Sequence, residues 1–88
     1  MDMEIEKQSY KTKDRFEIYI LLSSGCKLKS YEATHPGAVF FEFENKKRCE
    51  DILTQLISKR LKVFAHDMIS AIRDAQSIFS KYRRYNNE

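Results

Sequence analysis

The run VFFEFE from Val39 to Glu44 admits few folds. Val39, Phe41 and Phe43 alternate with Phe40, Glu42 and Glu44, the period of two expected of a strand with one buried and one wet face. Just ahead stands His35-Pro36-Gly37. Proline pre-sets φ at the second position of a turn and glycine accepts positive φ at the third, the pattern of a type II turn. Together these predict a β-hairpin over residues 27–45. Its first strand covers about residues 27–34, with Leu28 facing one way and Lys29, Tyr31 and Ala33 the other.

The flanking segments read as helices that need the buried face of that hairpin. From Thr12, a candidate N-cap, a first helix carries Asp14 in its first turn and Phe16, Tyr19, Ile20 and Ser23 at helical spacing. Ile18, Leu21 and Leu22 widen the stripe, and Gly25 ends it as a residue able to take positive φ. After Asn45, another N-cap, the spacing of Cys49, Ile52, Leu53, Leu56, Ile57 and Leu61 predicts an amphipathic helix. Residues 59–63 break that pattern, with Val63 or Phe64 turned inward. A last helix runs from about residue 65 to 82, with Phe64, Met68, Ile72, Ala75 and Phe79 on one stripe and Ile69 and Ile78 beside it.

The expected architecture is therefore a single α+β domain, αββαα, with the helices on one face of the sheet. Residues 1–10 are expected to form a mobile arm, Met3 and Ile5 offering an alternative short edge strand. Residues 11–80 form the domain, and residues 81–88 a basic, aromatic tail. A chain of 88 residues has room for one core. No run approaches the roughly 18 apolar residues of a bilayer span, and residues 1–10 show no secretory pattern. Cys26 and Cys49 lack a CxxC spacing, which fits a reducing compartment. The expectation is a cytoplasmic protein without a membrane partner.

Charge is distributed unevenly. Residues 1–45 hold six Lys/Arg against eight Asp/Glu, whereas residues 46–88 hold ten against five. Lys59, Arg60 and Lys62 sit at a helix C-terminus, where the dipole favours cations, and need no further reason. Lys46, Lys47 and Arg48 stand at the opposite end, where a cation costs roughly 0.3–1 kcal/mol each at the surface. Two readings of that cluster are open: an anion site shared by side chains and helix N–H groups, or neutralisation by Glu42, Glu44, Glu50 and Asp51. The stretch Lys81, Tyr82, Arg83, Arg84, Tyr85 interleaves cations with rings, which suits phosphate contact and base stacking. Basic C-termini also serve solubility. Lys11, Lys13 and Arg15 supply a third set.

Catalytic chemistry is not indicated. His35 and His66 stand in no nucleophile motif, no glycine-rich phosphate loop is present, and Glu42 with Glu44 reads as the solvated face of a hairpin. A zinc site from Cys26, Cys49, His35 and His66 lacks ligand spacing. No enzyme, cofactor, metal or small-molecule substrate is expected. Phe40, pointing away from the core and placed opposite Tyr31, is either an exposed pair for a protein partner or a cross-strand pair covered by a terminus.

The segments TKDRFEIYILLSSGCKL, AVFFEFEN and VFAHDMISAIRDAQSIF resemble a small bacterial and phage family, domain of unknown function 5659. Asp14, Gly25, Val39, Phe41, Phe43, Val63 and Ile69 occupy matching positions, so the similarity spans residues 12–80. Ala75 and Gln76 stand where the family often carries a lysine-containing final helix. The resemblance implies the same fold and supplies no activity, since the family has none assigned. The functional expectation is a small accessory protein of phage or mobile-element origin. It would bind nucleic acid through Lys46, Lys47, Arg48, Arg83 and Arg84, with Tyr82 or Phe40 stacking. The alternative is a protein-binding or self-associating module using the hairpin, Phe40 and Tyr31.

Overall fold

The Phe-rich run is the central strand of an antiparallel sheet. In the computed structural model, which describes residues 8–35 and 38–86, strand β3 (Ala38–Glu44) lies between β1 (Ser9–Thr12) and β2 (Leu28–His35) in the order β1-β3-β2. Helix α1 (Arg15–Ser23) joins β1 to β2, and α2 (Lys46–Ile57) and α3 (Ala65–Asn86) follow β3. The domain is α+β, and the expected αββαα order gains one strand at its start. Residues 1–7, with Met3 and Ile5, lie outside the described residues. So do Pro36 and Gly37 of the expected type II turn, residues 87–88, and the side chains of Thr34, His35 and residues 83–86.

The added strand corrects the expectation that residues 1–10 form an arm throughout. Ser9 pairs with Glu44, Tyr10 with Phe43, Lys11 with Glu42 and Thr12 with Phe41. The physical reason is that β3 would otherwise carry a row of unpaired N–H and C=O groups along a long apolar edge. Thr12 is consequently buried in the strand and is not the cap of α1. Its Oγ1 accepts from the Asp14 amide at 3.1 Å, while Asp14 caps the helix, accepting from Phe16 N at 2.8 Å and Glu17 N at 3.1 Å. Such a cap contributes about 1 kcal/mol.

A bulge changes which β2 residues face inward. Leu28 pairs with Phe43, but Ser30 pairs with Glu42 and Tyr31 with Phe41, so Lys29 is the extra residue. One additional residue shifts the two-residue phase. Leu28 and Tyr31 therefore share the core side, contrary to the expected opposition. Ser30 joins the outer face, where its hydroxyl donates to Glu42 at 3.1 Å and the Ser9 hydroxyl donates to the same carboxylate. Those two hydrogen bonds, with Lys29 at 3.8 Å, hold Glu42 below the usual carboxylate range.

Val39, Phe41 and Phe43 turn inward as expected and meet all three helices. Ile18 and Leu21 come from α1, Cys49 and Ile52 from α2, Ala75 and Phe79 from α3. Phe41 lies 5.5 Å from Phe79 between ring centroids, and Tyr31 lies 6.0 Å from Phe41. Fully burying one such ring is worth roughly 1.5–3 kcal/mol. The opposite sheet face carries Phe40, Glu42 and Glu44.

Helix α3 runs beyond the expected end near residue 82. Tyr82 packs edge-on against Tyr31 at 6.2 Å, and Lys81, Arg83 and Arg84 fall in the last turns, where cations suit the dipole. The residues expected as a separate tail are thus helical through Asn86. Helices α1 and α3 run antiparallel: Arg15 lies over the Phe79 ring at 4.7 Å, while Ser23 and Ser24 adjoin Phe64 and Asp67 at the other end.

Several residues expected on apolar stripes are bare. Phe16 is 77% exposed, Phe64 78% and Ile57 81%. Phe64 stands at the cap position of α3, accepting from the Met68 amide with its carbonyl, so helical spacing does not fix its direction. Helix α2 packs through its first half on α1 and β1, leaving Leu56 and Ile57 beyond the core.

Candidate functional site

Two helix endings and one helix start meet at one end of the domain. Helix α1 closes with Gly25 at φ 84°, its amide donating to Leu22 O at 3.1 Å and the Cys26 amide donating to Leu21 O at 3.0 Å. This is the Schellman pattern. Arg48 Nη2 donates to the Ser24 carbonyl at 3.2 Å, placing a cation at the negative end of α1. A Cβ on Gly25 would lie 3.8 Å from that same nitrogen. Arg48 engages one of its five N–H donors here, which orients the guanidinium and leaves four.

The start of α2 is less open to an anion than the sequence suggests. Lys46 N donates to Gln8 O at 2.9 Å, Arg48 N to Asn45 Oδ1 at 3.1 Å, and Cys49 N to Asn45 O at 3.1 Å. Among the described residues only the Lys47 amide of that turn lacks a partner. The helix-terminus half of the anion site is therefore corrected: its N–H groups are mostly engaged. The side chains are a different matter. Lys47 and Arg48 are exposed and Lys46 is half-buried. Among the described residues the ion pairs are Lys29 with Glu42 and His66 with Asp67, so none of the described carboxylates lies within 4.0 Å of this cluster's side-chain nitrogens.

Helix α2 ends as α1 does, with a lysine in the glycine position. Lys59 adopts φ 62°, its amide donating to Leu56 O at 3.0 Å, and the Arg60 amide donates to Gln55 O at 2.9 Å. The chain then reverses, Leu61 packs on the core, and Lys62, Val63 and Phe64 cross towards α3. Between this link, α2 and the end of α1 lies an open cleft of about 510 Å³. Arg48, Lys62 and Phe64 line it, together with Asp51 and Asp67. Ser24 Oγ, at its α1 side, is buried without a hydrogen-bond partner among the described residues.

The expected site residues are thus redistributed. Lys46, Lys47 and Arg48 stay together at the cleft end. Lys81 and Tyr82 lie towards the far end of α3, about 25 Å along the helix from its start at 1.5 Å per residue, whereas Arg48 lines the cleft beside that start. Arg83 and Arg84 lie in α3 with their side chains outside the described residues. Tyr82 is half-buried edge-on to Tyr31, and Tyr31, also half-buried, lies tilted against Phe41, so neither ring stands free as expected. Phe40 is opposite Glu32, not Tyr31. It is half-buried on the outer face, with Lys13 Nζ 6.0 Å from its ring centre, so the expected Phe40–Tyr31 surface is split across the sheet.

Lys62 and Phe64 are the residues that sequence reasoning missed. The sequence signal was present as a Lys59-Arg60-Lys62 cluster followed by an aromatic, but helix-end electrostatics accounted for the cations and stripe spacing for the ring.

Cys26 and Cys49, distant in sequence, are in thiol contact within the core, and Cys49 also donates to Glu44 O at 3.7 Å. Burial foremost, then Cys26, pushes the Cys49 thiol up to about 12, so it stays protonated and unreactive at neutral pH. His66 is exposed beside Asp67, and among the described residues no three metal-ligating side chains converge. No helix among the described residues is long and apolar enough to cross a membrane. No family model, curated protein or solved structure matches this chain.

Proposed function

We propose that this chain is a small non-enzymatic accessory protein of the cytoplasm, of phage or mobile-element origin, that binds nucleic acid through backbone phosphates at the cleft end. The observation that supports this is the meeting of Arg48 and Lys62 beside an exposed Phe64. Residues 46–64 hold six Lys/Arg against Glu50 and Asp51, an excess that attracts a polyanion and releases its counterions. The phosphate contacts are Lys46, Lys47, Arg48 and Lys62. Arg83 and Arg84, at the other end of α3, are not part of the contact.

The test is fluorescence anisotropy of labelled oligonucleotides between about 50 and about 200 mM salt. Affinity falls linearly on logarithmic axes, and Lys47→Ala and Lys62→Ala each lower the slope by about one. Salt-independent binding, or none, rejects the reading.

A protein-binding module is the second reading, favoured by Leu56, Ile57 and Ile69, which are 40%, 81% and 53% exposed. It moves the contact from the hairpin and Phe40 to the far half of α2 and the first turns of α3. A dimer seen by light scattering and dissociated by Ile57→Asp, with no oligonucleotide binding, establishes it instead.

A further inference from the structure

We infer that the cleft seats an unpaired base of a single-stranded nucleic acid while Arg48 and Lys62 hold the flanking phosphates. The inference rests on the polyanion reading and narrows it to single strands.

Charge balance carries the first step. The cleft is lined by two cations, Arg48 and Lys62, and by two carboxylates, Asp51 and Asp67. A pocket for phosphate alone is poorly served by that lining, since each carboxylate repels an anion as strongly as a cation at the same distance attracts it. A nucleobase is neutral and carries exocyclic amino donors on its edge, which carboxylate and Gln55 amide oxygens accept. The mixed lining suits a nucleotide, with phosphates received by the cations and base amino groups by the carboxylates.

Shape and apolar surface carry the second step. The volume of about 510 Å³ lies in the range of small-ligand sites, and Ile52, Leu61 and Val63 supply apolar walls. Phe64 adds a ring that this chain leaves 78% exposed. Bases stack on such rings with little regard to sequence. In a duplex the base faces are already stacked on their neighbours, so a double strand offers phosphates to the cations and nothing to the ring.

Anisotropy titration of the full chain separates the possibilities, using DNA and RNA single strands, an abasic strand and a duplex of equal length. Single strands are expected to bind about tenfold more tightly than the duplex or the abasic strand. Phe64→Leu lowers single-strand affinity about 5-fold to about 100-fold, matching the usual worth of one stacked base, and leaves the salt slope unchanged. Phe64→Tyr retains affinity because it keeps the ring, and the unchanged salt slope of the leucine variant shows that its loss is not a folding defect. Asp51→Asn narrows any preference for adenine and cytosine over thymine and uracil. Equal affinity for all strands with a normal salt slope overturns the base seat and leaves phosphate binding standing. No binding of any oligonucleotide overturns both, and a dimer that Phe64→Leu disperses then assigns the cleft to a second copy of the chain.

Discussion

Phe64 stands just ahead of α3 and Phe79 in its later half, each near an arginine, and they have opposite fates. Phe79 is 9% exposed, in contact with Phe41 at 5.5 Å and covered by Arg15 at 4.7 Å. Phe64 is 78% exposed, and the nearby Arg48 is directed at a helix carbonyl. Sequence spacing places both on one stripe. The difference is that Phe79 lies within the helix, whose phase points it at β3, whereas Phe64 precedes the first helical residue and follows a link already turned by Lys59. Identical side chains thus serve the core at one end and the surface at the other.

Truncation tests that contrast most severely. Phe79→Ala should cost about 3–5 kcal/mol in urea unfolding, the usual range for deleting a buried aromatic ring, while Phe64→Ala stays within about 0.5 kcal/mol. Comparable losses at both sites would refute the distinction. The arginines provide the next measure. Arg48→Ala should lose about 1 kcal/mol through its hydrogen bond to Ser24 and also weaken oligonucleotide binding. Arg15→Ala should lose about 0.5–1 kcal/mol of cation–π stabilisation with no change in binding. A loss of binding in both would place the phosphate contact elsewhere.

The two Schellman turns beside the cleft sharpen the comparison further. Lys59→Gly removes the strain of a side chain at φ 62° and should gain up to about 1 kcal/mol, read as a higher urea midpoint. Gly25→Ala, at φ 84°, should lose a similar amount.

The smallest effect is a pH dependence outside the cleft. Tyr10 is pushed up to about 12, by burial first and then by its hydrogen bond to Glu17 and that group's charge. The unfolded chain ionises near 10.0, so the stabilising contribution is complete below that pH and is lost as pH rises to about 12. Tyr10→Phe should flatten this part of the urea-midpoint profile.

Much of the fold was legible because alternation and helical spacing report burial directly. Val39, Phe41 and Phe43 disclosed the central strand, and Cys49 and Ile52 the buried half of α2. Strand β1 was not legible, because SYKT has no apolar pair to mark it, and its partner lies far along the chain. The bulge at Lys29 leaves no local signature, so Leu28 and Tyr31 were placed on opposite faces. The cleft was hidden for a related reason. Arg48 and Lys62 belong to clusters that each have a plausible explanation alone, and only the reversal at Lys59 brings them together.

The sheet order also sets a timetable for folding. Strands β2 and β3 join residues close in the chain, whereas β1 reaches β3 by pairing position 9 with position 44. The entropy of closing that larger loop delays its contacts, while the hairpin closes locally. In pulse-labelled hydrogen exchange during refolding, the Glu44 amide, which donates across the hairpin to Lys27 O, should gain protection before the Lys46 amide, which donates to Gln8 O just ahead of β1. The first strand in the sequence is then the last to join the sheet.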